Sequence, residues 1–257
     1  MSANPEEATM TFWEHLAELR SRLVRMGIAF TAGAAVSWYY RQPLLAWLTE
    51  PFTTAWQSGN VAGSASLHFA APAALFVAYV KLALLGGLVL ALPVILYQVW
   101  MFVSPGLYAR EKRIAIPFVV VSCLLFLTGG YFGYRVAFPI AFRYLLSFSG
   151  PVGGGGFEVT PTVMIGEYLD FVTRMLLAFG ATFELPVVVF FLSIAGVITH
   201  RHLIKFARYF VVVAFILSAV ITPPDITSQF LLAVPLCILY GVSIGIAYVF
   251  SRKPKPD

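Results

Sequence analysis

Residues 73–100 read Ala-Ala-Leu-Phe-Val-Ala-Tyr-Val-Lys-Leu-Ala-Leu-Leu-Gly-Gly-Leu-Val-Leu-Ala-Leu-Pro-Val-Ile-Leu-Tyr-Gln-Val-Trp, 28 residues with a single charge, Lys81. As a helix this run extends ~42 Å at ~1.5 Å per residue. That exceeds the ~30 Å hydrocarbon core of a bilayer. Five further apolar runs lie at about 24–42, 114–137, 167–198, 206–221 and 228–250. The spacing predicts an all-α integral membrane protein with six spans in one membrane domain covering residues 1–257. The fourth run, ~48 Å, must tilt, bend or protrude, and Pro186 offers a bend point. The fifth, ~24 Å, falls short unless the bilayer thins or its flanks snorkel.

The whole chain agrees with this reading. Hydrophobic residues make up 60% of the 257 and charged residues 11%, against ~25% charged in soluble domains. So few charges exclude a soluble enzyme and a disordered chain as defaults. Twelve of the 17 Lys and Arg fall on one side of the six spans, among them Arg20, Arg22, Arg25, Arg110, Lys112, Arg113, Arg201, Lys205, Arg208 and Arg252. The positive-inside rule places that side, and both termini, in the cytoplasm. The net charge of +5 therefore reads as topology rather than nucleic-acid binding. Residues 1–23 lack a signal-peptide pattern. Phe12, Leu16, Leu19 and Leu23 recur at helical spacing, which predicts a cytoplasmic amphipathic helix leading into the first span. Exported-side loops are expected at 43–72, 138–166 and 222–227, with a possible interfacial helix over Val136–Phe148.

Three groups of polar residues need a reason. Glu184 lies mid-span in Phe183-Glu184-Leu185-Pro186, where a charge costs at least ~2.5–3.5 kcal/mol. It suits a proton site, a polar contact for another helix, a groove admitting water, or a hydrogen-bonded interhelical carboxyl. Glu18 and Glu111 are acids on the basic side. They either neutralise neighbouring Arg or grip two cations on a partner, for which guanidinium groups are best suited. In the turn Thr222-Pro223-Pro224-Asp225-Ile226-Thr227-Ser228-Gln229, Asp225 or Thr227 suits a helix cap. Gln229 suits a polar partner in a second helix. Gly129-x3-Gly133 and Gly241-x3-Gly245 permit close helix contact. Cys123 and Cys237 read as packing residues, His200 and His202 as surface residues, and Gly153–Gly156 as a loop tip rather than a phosphate cradle. No metal-ligand spacing and no paired catalytic constellation is present, so neither cofactor nor enzyme is expected.

Taken together these motifs resemble the TatC family, the largest membrane subunit of the twin-arginine protein translocase. They are His15-Leu16-Ala17-Glu18-Leu19-Arg20-Ser21-Arg22-Leu23, then Leu92–Trp100 with Phe102, Pro105, Leu107, Tyr108 and Glu111, then Phe183–Pro186, then Thr222–Asp225 with Ser228 and Gln229. The resemblance implies a curved wall with a concave groove in the cytoplasmic (inner) membrane. It implies that Glu18 and Glu111 recognise the paired arginines of a signal peptide. Arg20 would orient that site, and Phe102, Pro105, Leu107 and Tyr108 would shape it. Glu184 would face the groove. Thr222, Asp225 and Gln229 would mark the contact with single-span TatA-type and TatB-type subunits, in a larger complex holding several copies of this chain and powered by the proton gradient. The family's occasional carboxylate before the second span is missing from Ala71–Phe76. The rival expectation is a proton-coupled secondary transporter using Glu184. It is disfavoured because a relay needs several intramembrane ionisable groups.

Overall fold

A computed structural model describes residues 12–59, 61, 63–103, 115–152 and 157–250. The helices are α1 (Phe12–Tyr39), α2 (Arg41–Ser58), α3 (Pro72–Val103), α4 (Ala115–Phe132), α5 (Phe138–Leu146), α6 (Ile165–Phe183), α7 (Leu185–Ile194), α8 (His200–Ile221) and α9 (Ile226–Phe250). Among the described residues, five stretches are long and apolar enough to cross a membrane: Pro72–Phe102, Ile116–Leu146, Ile165–Ile194, His200–Ile221 and Ile226–Phe250. Helix α1 has 28 residues and is the sixth crossing. Its charges are confined to its first half, so it is less apolar on average than the other five.

The main packing pairs are α1 with α3, α3 with α4 and α6, α4 with α6, α6 and α7 with α9, and α9 with α8. This is a row of helices, a curved wall with a concave groove, rather than a closed bundle. With six crossings, the start of α1 and the end of α9 share one end, here called the basic end. The other is the distal end. Many large apolar side chains point outward, including Val120, Leu124 and Leu127 on α4 and Val212, Ile216 and Val220 on α8. In water such a surface would be unsustainable; in lipid it costs nothing.

The N-terminal amphipathic segment forms the first turns of α1 and runs on into the span, while several other expectations are corrected. No proline or glycine stands between Phe12 and Met26, so nothing interrupts the i→i−4 ladder. The fifth span is not short. It begins at His200 and has 22 residues, ~33 Å, because its early Lys and Arg are tolerated at the exposed end of the helix. The segment 43–72 is largely helical, since α2 occupies Arg41–Ser58. Helix α5 follows α4 through a π-turn at Gly133–Ala137. It buries Phe138, Ala141, Phe142 and Leu146 in the core, so it is a packing element of the distal end. Among the described residues, four short strands also interrupt the all-α picture at the distal end. Leu67–His68 (β1) pairs in parallel with Val163–Met164 (β4), and Gly150–Val152 (β2) pairs antiparallel with Phe157–Val159 (β3). The β1–β4 pair ties together the starts of α3 and α6.

Helix α2 shows how the distal core is held. Pro51 lies inside it and cannot donate to the carbonyl four residues earlier, that of Trp47. The Tyr134 hydroxyl donates to that carbonyl at 2.8 Å and is also within 3.0 Å of Glu50. The Tyr168 hydroxyl donates to the adjacent Leu48 carbonyl at 2.7 Å. Phe52 then packs on Trp56, Phe142 and Tyr168 with ring centres 5.5–5.7 Å apart. Tyr134→Phe should strip the Trp47 carbonyl of its partner and cost about 1–3 kcal/mol. Chemical denaturation of the purified protein, monitored by tryptophan fluorescence, measures this; an unchanged midpoint would refute it.

The glycine spacings divide. Gly129 and Gly133 lie against Phe179 on α6 and Gly180 against Phe126 on α4, so they serve contact within the chain. Gly241 and Gly245 face open space.

Candidate functional site

At the basic end, α1 and the last turns of α3 converge. Residues 15, 18 and 22 follow the i, i+3, i+7 pattern that shares one helix face. That face meets α3. The His15 ring stacks on Phe102, 4.5 Å between centres. Arg22 Nε donates to Glu18 Oε1 at 3.0 Å, and Arg22 Nη2 donates to the same oxygen. Arg22 Nη1 reaches across to Gln98 Oε1 at 3.3 Å. The Arg22 and Glu18 side chains are only 12% and 19% exposed. The second carboxylate oxygen of Glu18, Oε2, is buried and has no hydrogen-bond partner among the described residues. Beside this cluster on α3, Trp100 packs on Phe118 (4.7 Å) and Phe191 (4.3 Å). These rings fix the end of α3 against α4 and α7.

The structure thus places Glu18 and Phe102 at one site. Pro105, Leu107, Tyr108 and Glu111 lie outside the described residues. Arg20 is exposed, off the face that carries Glu18. The pairing of Glu18 with a neighbouring arginine is one of the two readings its sequence allows, and the i+4 spacing makes Arg22 the partner; Gln98 is a participant that sequence does not indicate. Gln98 stands 76 residues from Arg22, and no local signal joins them.

Glu184 occupies the junction of α6 and α7. Its carbonyl accepts from both Val187 and Val188 at 3.0 Å, so the helix bends there without ending. Pro186 cannot donate to the Thr182 carbonyl. Glu184 is partly buried, and Oε1 has no hydrogen-bond partner among the described residues. Nearer the distal end of the same helix, Lys81 on α3 pairs with Asp170 at 2.6 Å. An apolar cavity of about 510 Å³ opens between α1, α2, α3, α4 and α6, lined by Val36, Leu85, Phe126 and Leu177 among others.

At the distal turn, Asp225 Oδ1 accepts the Ser228 backbone N–H at 2.7 Å. That is an N-cap on α9. Thr222 donates its hydroxyl to the Ser218 carbonyl at 2.9 Å, and the Gln229 amide donates to the Phe215 carbonyl at 3.1 Å. Gln229 therefore bridges α9 to α8 within the chain. Asp225 Oδ2 and Ser228 Oγ are buried without hydrogen-bond partners among the described residues.

Residues 14–235 match the family model described as Sec-independent protein translocase protein (TatC). The chain belongs to the TatC family. The TatC match spans every candidate residue from Glu18 to Gln229. A TatC protein of Desulforapulum autotrophicum is 40% identical over 252 residues, covering 98% of this chain and 89% of the relative. The TatC protein of Aquifex aeolicus is 37% identical, covering 96% and 98%. A crystal structure described as the twin arginine translocase receptor TatC superposes with a TM-score of 0.79 at 37% identity, over 93% of this chain and 100% of the other. A second, of the same receptor in the detergent DDM, also gives 0.79, at 38% identity over 91% and 99%. As a TatC protein, the chain is a multi-pass component of a Sec-independent protein translocase.

Proposed function

We propose that this chain is the receptor of a twin-arginine translocase and the core on which its complex assembles. Glu18 and Glu111 bind the two guanidinium groups of a signal peptide at the cytoplasmic face of the inner membrane. Folded precursors then cross with the help of single-span TatA-type and TatB-type partners and the proton gradient. The observation that carries the reading is the Glu18 carboxylate, partly buried where α1 meets α3, with Oε2 buried and free of any partner among the described residues. A buried carboxylate oxygen is costly unless something donates to it. A signal arginine supplies planar N–H donors that match it. Phe102, with His15 stacked on it, offers apolar contact beside it, and Pro105, Leu107 and Tyr108 complete the loop, with Arg20 orienting the face.

In this reading, Thr222, Asp225 and Gln229 receive the partner helices at the distal turn. The unsatisfied Asp225 Oδ2 and Ser228 Oγ support it, since an incoming polar side chain could satisfy them. Both termini lie in the cytoplasm, and the acceptor Glu184 faces the groove.

Binding of a labelled signal peptide to the purified full-length protein tests the central claim. An Arg-Arg peptide should bind and a Lys-Lys peptide bind more weakly. Glu18→Ala combined with Glu111→Ala should weaken Arg-Arg binding about a hundredfold. Equal binding by parent and double variant would refute the assignment.

A further inference from the structure

At rest, the carboxylate assigned to the signal peptide already carries a guanidinium. Arg22, one turn along α1, places both Nε and Nη2 on Glu18 Oε1. Its third nitrogen, Nη1, is held by Gln98 on α3 at 3.3 Å. The side chain is largely buried, so this is no loose surface pair. The group bound there is chemically identical to the group a twin-arginine ligand would bring. Building on the proposed receptor role, we infer that Arg22 is a resident competitor for Glu18, and that it sharpens the choice of arginine over lysine.

The reasoning is one of exchange. An incoming cation takes Oε1 only by displacing Arg22, and Oε2 is too buried to be reached while the pair stays closed. An arginine replaces like with like. Its fork can re-form the two N–H bonds to one carboxylate that Arg22 gives up. A lysine offers a compact, strongly hydrated point charge and no fork, so its exchange for Arg22 is unfavourable. Without Arg22, Glu18 would be an unpaired carboxylate in a partly buried place. It would then accept any cation, and lysine would gain most. Arg22 therefore acts by raising the threshold at Glu18, which makes it a specificity-determining residue rather than part of the grip.

The test is peptide binding to the full chain in nanodiscs, comparing Arg-Arg and Lys-Lys signal peptides. For Arg22→Gln, the Lys-Lys peptide should bind about fivefold tighter, with Arg-Arg binding at least as tight as in the parent. The Arg-over-Lys ratio should fall accordingly. Gln98→Leu leaves the Arg22–Glu18 pair intact but frees Nη1, and should shift the ratio the same way by about twofold. An unchanged ratio in either variant overturns the inference, as does equal weakening of both peptides, the mark of a purely structural Arg22. If Arg22→Gln does not fold, Gln98→Leu decides alone. Failure of the receptor reading looks different: there the parent itself shows no preference for Arg-Arg, and loss of Glu18 changes nothing.

Discussion

Gly87→Leu is expected to separate α1 from α3 and lower stability by about 3 kcal/mol. A Cβ built on Gly87 would lie 2.7 Å from the Ala34 backbone nitrogen and 2.8 Å from its Cα and Cβ. None of these atoms belongs to a flexible side chain, so only the helices can move. At the same crossing point, a Cβ on Gly33, the residue before Ala34, would meet the Gly87 carbonyl at 2.8 Å. Small residues thus let the two backbones approach, the usual basis of tight association between helices in lipid. The same seam carries the basic-end site, because His15–Phe102 and Arg22–Gln98 both span it. Loss of the seam should therefore abolish signal-peptide binding along with thermal stability. Gly241→Leu is the control, since open space surrounds Gly241. Thermal unfolding of both variants in detergent checks this, and equal melting temperatures would show that the seam is not tight.

Glu184→Leu should have the second largest effect, with opposite signs on two readouts. Removing a carboxyl from the membrane relieves its insertion cost of ~2.5–3.5 kcal/mol, and Oε1 gives up no hydrogen bond within the described residues. Stability should rise by about 1–2 kcal/mol. Export of a reporter bearing a twin-arginine signal should fall tenfold or more, on the scale of one lost hydrogen bond to a charged group. Glu184→Gln should keep part of the activity. Measured together, these separate two roles: a stabilised but inactive Leu variant marks a functional carboxyl, while a destabilised one marks an interhelical strut and sinks the functional assignment. Full export by Glu184→Gln would show that the negative charge is not required.

How legible each feature was follows from the range of the forces behind it. The long apolar runs are local in sequence, and a bilayer demands them wherever they occur, so the row of crossing helices could be read directly. Glu184 stood out because a charge inside such a run has no solvent. Helix α2 was hidden. Pro43, Pro51 and a scatter of small residues look like a loop, and its helicity depends on hydroxyl donors from distant tyrosines. The fifth span was cut short because Arg201, Lys205 and Arg208 were read as loop, although long basic side chains suit a helix end. Glu18 was legible from its motif. Its pairing with a neighbouring arginine was legible as an alternative from the i+4 spacing of Arg22, but the contact of Arg22 with Gln98 was not, because it crosses 76 residues. The role given to Gln229 also gained a rival, since its amide is already bonded to the Phe215 carbonyl.

The donors that complete α2 have a consequence for synthesis. The Trp47 carbonyl, which Pro51 leaves without a helical donor, waits for a hydroxyl 87 residues further along the chain, and the Leu48 carbonyl gains a second donor 120 residues on. A ribosome delivers Pro51 long before it delivers Tyr134 and Tyr168. Until the third crossing arrives, the Trp47 carbonyl lacks the hydroxyl that satisfies it, and the Tyr168 donor follows only as the fourth crossing begins. The distal cap is therefore a late product of biogenesis, and a chain stopped short of residue 168 would carry α2 without the partners that hold it.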